Sequence, residues 1–121
     1  MPSLFEVSAG KLAGPTTGGT VTQATNKGTG VPLNTESGQI TMNNAQLNDG
    51  VEVTFAVTND KIAATDVVVA VHGSAGTAGS YLVGVSAIAA GSFGITVTNV
   101  SGGSLSEAIV LNFVALKGAS S

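Results

Sequence analysis

The segment from Val51 to Thr58, "VEVTFAVT", alternates apolar and polar side chains with a period of two. Successive side chains of an extended strand point to opposite faces. Val51, Val53, Phe55 and Val57 are therefore expected to turn toward a core, and Glu52, Thr54, Ala56 and Thr58 toward water. The scheme returns in "FGITVTN", with Phe93, Ile95 and Val97 inward and Gly94, Thr96 and Thr98 outward. Around these two segments, turn residues recur about every eight to twelve positions between short runs rich in Val, Ile, Thr and Phe, the spacing of a sandwich or barrel. The pattern predicts strands over 20–25, 30–34, 38–43, 50–58, 66–72, 80–89, 93–99 and 107–116. Eight strands in 121 residues leave little room for helix. The expected class is all-β, a β-sandwich that is jelly-roll-like with Greek-key connections. Its core is expected at or near Val53, Phe55, Val57, Val69, Val83, Val85, Ile95, Val97, Leu111 and Phe113.

Two segments break the alternation. "DVVVAV" and "EAIVLNFVAL" are apolar on both strand faces. A sandwich interior covers only one face, so the second needs another partner, such as a second subunit. Ile109, Val110, Leu111, Val114 and Leu116 are the expected subunit interface of a homo-oligomer, for which closed symmetry is the usual form. Each two-faced strand follows an alternating strand, Thr-Asn, a loop, and an acid, Asp66 in one case and Glu107 in the other. Two readings of this recurrence stay open, a weak internal duplication and coincidence in a chain rich in Thr and Val.

Residues 1–18 show no sustained period and are expected to be an extended N-terminal arm, with residues 19–121 as the β domain. The arm mixes Gly and Pro with four apolar anchors, Leu4, Phe5, Val7 and Leu12. It reads either as a docking segment or as a solvated terminus. It has neither the basic nor the unbroken apolar region of a secretory signal. No run reaches the roughly eighteen apolar residues of a membrane span, so no membrane partner is expected.

Composition narrows the chemistry. Only 9% of residues are charged, the formal net charge is −3, and there is neither Arg nor Cys. Bidentate phosphate recognition relies on Arg, and nucleic-acid affinity on neutralising phosphates, so nucleic acid is not an expected partner. His72 with Ser74 and Asp66 could suggest a triad, but the Gly-x-Ser-x-Gly turn of a nucleophile elbow is missing. Gly28-Thr29-Gly30 lacks the third glycine and the helix of a dinucleotide site. Asp49, Glu52, Asp60 and Asp66 do not fall at calcium-loop spacing, and one histidine does not make a zinc site. Asp66 and Glu107 are expected to accept loop N–H bonds at strand starts. "NVS" at Asn99 matches a glycosylation sequon but is expected to be a turn. With no Trp and Tyr81 as the one tyrosine, sugar stacking has little platform. The expectation is a protein that is not an enzyme and carries no cofactor and no metal.

The phrases "SGQITMNNAQLNDG", "TNDKIAATDVVV", "GTAGSYLVGVSAIAAGSFGITVTN" and "SGGSLSEAIVLNFVALKG" are similar to a group of small virion proteins of tailed bacteriophages, the capsid decoration or cement proteins. The resemblance spans roughly residues 20–118 and includes no catalytic signature. It implies a structural protein made in the host bacterial cytoplasm and carried on the outer surface of the capsid, where it binds the major capsid protein and stabilises the shell. It also implies a homotrimer, matching the threefold positions of an icosahedral shell; the arm lies outside the resemblance, and its docking role is read from its apolar anchors alone. A tail-fibre or receptor-binding β module of the virion is the alternative.

Overall fold

The computed structural model describes residues 18–118. The arm anchors Leu4, Phe5, Val7 and Leu12 lie outside the described residues. All eight expected strands are present, with differences confined to their ends: β1 (Thr20–Thr22), β2 (Val31–Pro32), β3 (Ser37–Thr41), β4 (Glu52–Thr58), β5 (Val67–Ser74), β6 (Tyr81–Ala89), β7 (Ser92–Asn99) and β8 (Val110–Leu116). Among the described residues there is no helix.

The strands form two mixed sheets of four, ordered β1-β3-β8-β5 and β2-β4-β7-β6. The outer pairs β1–β3 and β2–β4 are parallel, and the remaining neighbours are antiparallel. The first four strands alternate between the sheets, and the chain turns directly back on itself at β6–β7, where Gly91 takes a φ of 89° that L side chains disfavour. Ile40, Val68, Ala70, Leu111, Phe113 and Ala115 of one sheet share a single buried cluster with Val31, Phe55, Val57, Phe93, Ile95 and Val97 of the other. The rings of Phe93 and Phe113, 5.4 Å between centroids, join the two sheets through that cluster.

The alternating strands behave as their pattern predicts. On β4, Phe55 and Val57 are buried while Glu52, Thr54, Ala56 and Thr58 are exposed. On the outer face Thr54 lies opposite Thr96, and their hydroxyls hydrogen-bond at 2.7 Å. Val53, Val83 and Val85 are partly buried against the core. Val51 is the exception, ending before β4 begins and remaining 44% exposed.

The two-faced strands required a choice of phase, and here one expectation fails. Val69, expected in the core, is 45% exposed. The inner face of β5 is formed by Val68 and Ala70 instead. Phe113 accounts for that choice. Its register partners are Gly38 on β3 and Ala70 on β5, so the ring is flanked by the two smallest side chains available. A Cβ on Gly38 would lie 2.9 Å from the Gly19 carbonyl oxygen, closer than real contacts allow, and 3.1 Å from the Phe113 ring, tighter than most. With Ala70 placed inward beside the ring, the period of two sends Val67, Val69 and Val71 outward.

Candidate functional site

The densest convergence of ionisable groups surrounds Glu107, in the loop before β8. Its carboxylate accepts hydrogen bonds from the Thr77 backbone N–H at 3.0 Å, the Thr77 hydroxyl at 2.7 Å and the Tyr81 hydroxyl at 2.8 Å. Gly76 allows this approach: its φ is +74°, and a Cβ there would meet Ile109 at 2.6 Å and Glu107 Oε1 at 2.9 Å. Donation by the Thr77 hydroxyl, then by its N–H and by Tyr81, holds the Glu107 carboxyl below its usual range. Burial, reinforced by hydrogen bonding to Glu107, raises the Tyr81 phenol above its usual value. The two shifts act in opposite directions on one hydrogen bond, so the proton stays on Tyr81 around neutral pH. Such a pair is a poor general acid and a poor general base.

Lys27 reaches the same loop from the other side. It is buried, and its ammonium donates to the backbone carbonyl oxygens of Glu107, at 2.6 Å, and Asn43. Burial lowers its pKa, and the nearby Glu107 charge partly restores it. Gln23, also buried, holds the Lys27 turn in place. Its Nε2 donates to the Lys27 and Thr29 carbonyls at 2.8 and 2.9 Å, and its Oε1 accepts from the Asn43 N–H at 3.0 Å. Neither role was foreseen from the sequence, where Gln23 falls in the expected strand 20–25 and Lys27 between strands.

Asp66 does for the β4–β5 loop what Glu107 does for the β5–β6 loop. It accepts from the Ala63 N–H at 2.8 Å, the Lys117 ammonium at 2.6 Å and the Gly118 N–H at 3.2 Å. The Ala63 bond, followed by Lys117, lowers its carboxyl pKa against the opposing effect of burial. Both acids thus accept loop N–H bonds, as expected of an acid before a strand.

The histidine, serine and aspartate of the imagined triad do not converge. His72 Nε2 donates to the main-chain oxygens of Ser74 and Ala75 at 3.1 and 2.6 Å, and its ring stands edge-on to Tyr81 with centroids 5.4 Å apart. Asp66 is committed to Lys117. The sequon asparagine, Asn99, is fully buried and donates to the Leu47 and Gly103 carbonyls at 2.7 and 2.8 Å, so its amide is not presented to solvent. Among the described residues no group of three His, Asp or Glu side chains is placed to hold a metal ion. An open depression of about 410 Å³ lies between β5 and β6, bounded by Val71, His72, Ser74, Ala78, Tyr81 and Leu82.

The other distinctive surface is the outer face of the sheet β1-β3-β8-β5. Val67, Val69, Val71 and Leu116 are 54, 45, 50 and 50% exposed, and Val110 and Val114 are half-buried beside them. Of the five expected interface residues, this face holds Val110, Val114 and Leu116. Ile109 and Leu111 are instead fully buried in the core, because successive residues along an extended chain point to opposite faces, so these two face inward when Val110 faces out. The β5 valines complete the patch: Val67 lies opposite Leu116 and Val69 opposite Val114. Toward β3 the face turns polar, with Gln39 donating to Asn112 at 3.1 Å. Neither a family model, nor a curated protein, nor a solved structure matches the chain.

Proposed function

We propose that this chain is a non-enzymatic structural protein of a tailed-phage virion, a decoration protein that sits on the outside of the head and stabilises the shell. In this reading the fold is a jelly-roll-like sandwich in which eight strands fill two sheets with most connections crossing between them. The observation that carries the proposal is the exposed apolar face of β5 and β8 on a scaffold whose convergent charged groups, Glu107, Asp66 and Lys27, are engaged in holding loops. Glu107, Asp66 and Lys27 each satisfy main-chain donors or acceptors, which suits a rigid module better than a turnover site. The apolar face suits association, with a homotrimer as the assembly and the major capsid protein beneath it as the partner.

The mechanism is mechanical. Each copy buries area on neighbouring capsid subunits, and that binding free energy must be lost before the shell opens. Locating the protein on purified particles by electron density tests the proposal directly. Regular density on the head surface is the expected result. Density at the tail, together with binding to whole host cells, would instead favour a receptor-binding module, and absence from the particle would end the virion reading.

A further inference from the structure

The exposed face of β5 and β8 has a defined size. Two strands about 4.8 Å apart and seven or eight residues long, rising about 3.3 Å per residue, present roughly 10 by 25 Å, or about 250 Å². A stable pair of chains buries about 800 Å² on each partner. A patch of this size gives only weak association between two copies in solution, yet it is wide enough for one extended segment. Among the described residues β5 pairs with β8 alone, so the patch lies at an edge of its sheet.

The place where the described chain begins points to one segment. Gly18 lies against Ser37, with 3.8 Å from a Cβ built on it to the Ser37 carbonyl oxygen. Ser37 is opposite Val114, and Val114 is opposite Val69. Gly18 thus stands at the end of the same cross-strand row as the apolar patch, three strand spacings or about 14 Å from β5. Five extended residues reach about 17 Å. Residues 13–17, "AGPTT", have no large apolar side chain, whereas Leu4, Phe5, Val7 and Leu12 all precede them. A linker of sufficient reach is followed outward by the anchors.

We propose that residues 1–12 lie over the β5–β8 face of their own chain, covering Val67, Val69, Val71, Val114 and Leu116 until the protein meets its partners. The inference rests on the association role given to that face and adds its regulation. Tethering makes the contact intramolecular, with an effective concentration in about the millimolar range, well above that of a second copy in dilute solution. An arm in place nine-tenths of the time lowers the apparent self-affinity of the face about tenfold.

The chain has no cysteine, so introduced thiols report cleanly. Phe5→Cys with Val69→Cys in one chain is expected to close an internal disulfide under mild oxidation, while a mixture of the two single variants gives little cross-linked dimer. Deleting residues 2–12 is expected to lower the concentration at which sedimentation detects self-association by about tenfold, with circular dichroism confirming that the strands remain. No internal disulfide, or cross-linking mainly between chains, would overturn the inference. So would a deletion variant that associates more weakly than the intact protein. If the internal disulfide forms but both proteins stay monomeric at all concentrations, the covering arm stands and the association role of the face fails.

Discussion

Asn59 and Asn99 show how single polar side chains hold the loops at the two ends of the β4–β7 ladder. Asn59 donates to the Thr35 carbonyl at 2.6 Å and accepts from the Lys61 N–H at 3.0 Å, while its own N–H bonds Gly91. Asn99 bonds Leu47, Gly103 and Ser101 from a site with no exposure. Asn99→Ala leaves the buried Leu47 carbonyl unsatisfied and removes two part-buried bonds, to Gly103 and Ser101, and is expected to cost on the order of 2 kcal/mol in urea unfolding. The Asp66 carboxyl, ordinarily near 3.8, and the Glu107 carboxyl, ordinarily near 4.5, are both lowered in the folded chain. Unfolding therefore takes up protons, and the stabilisation these groups provide is complete above their ordinary values. It is lost as pH falls through the lowered folded values. The urea midpoint is expected to hold from pH 7 to about pH 5 and then drop. Asp66→Asn, already weaker at neutral pH, should show a smaller drop. None of the bonding of Asn59 or Asn99 was legible in sequence, because "TND" and "TNV" read only as turns. The acids were legible, since an acid just before an apolar strand has loop N–H groups close at hand.

At the scale of the elements, the sequence located the strands but not the phase of the two-faced ones. In β4 and β7 a polar residue at alternate positions leaves one orientation that buries no unpaired polar group. In β5 and β8 either orientation buries apolar groups, so phase is decided by shape across the register, Gly38, Phe113 and Ala70 forming one row. That is tertiary information, and it is why Val69 faces out and Ile109 and Leu111 face in. The same geometry gives the Thr-Asn recurrence a structural counterpart. β4 and β7 pair antiparallel in one sheet, the strands that follow them, β5 and β8, pair antiparallel in the other, and an acid stands before each of the latter, Asp66 bonding its own loop at Ala63 and Glu107 the β5–β6 loop at Thr77. A pair of substitutions on these neighbouring strands tests the phase. Phe113→Ala removes a ring that is 4% exposed and touches Phe93, and should destabilise by about 3–5 kcal/mol. Val69→Thr, on the outer face, should change stability by about 0.5 kcal/mol or less. Equal losses in denaturant titrations of the two variants would mean that β5 is buried on both sides.

For the whole molecule, the two ends of the row from Gly18 to Val69 suggest how docking and association are linked. An extended segment with alternate apolar anchors can add to a sheet edge on a partner, where backbone hydrogen bonds give affinity and side chains fill pockets. Ordering such a segment costs about 1–2 kcal/mol per residue, so Leu4, Phe5, Val7 and Leu12 must be buried for the exchange to be favourable. Under the proposed arrangement, moving them from the chain's own β5–β8 face to a capsid would replace one burial with another, so the net ordering cost would be small. The same move would then uncover Val67, Val69 and Leu116 only where neighbouring copies are already held close by a shell. The β domain should not need the arm to fold, since the two sheets are complete in their eight strands from Thr20 onward among the described residues. Deleting residues 2–18 is accordingly expected to leave the strand content and unfolding midpoint nearly unchanged while abolishing retention on undecorated capsids in a co-sedimentation assay. Retention equal to that of the intact protein would assign docking to the β domain, with the β5–β8 face as the first surface to mutate.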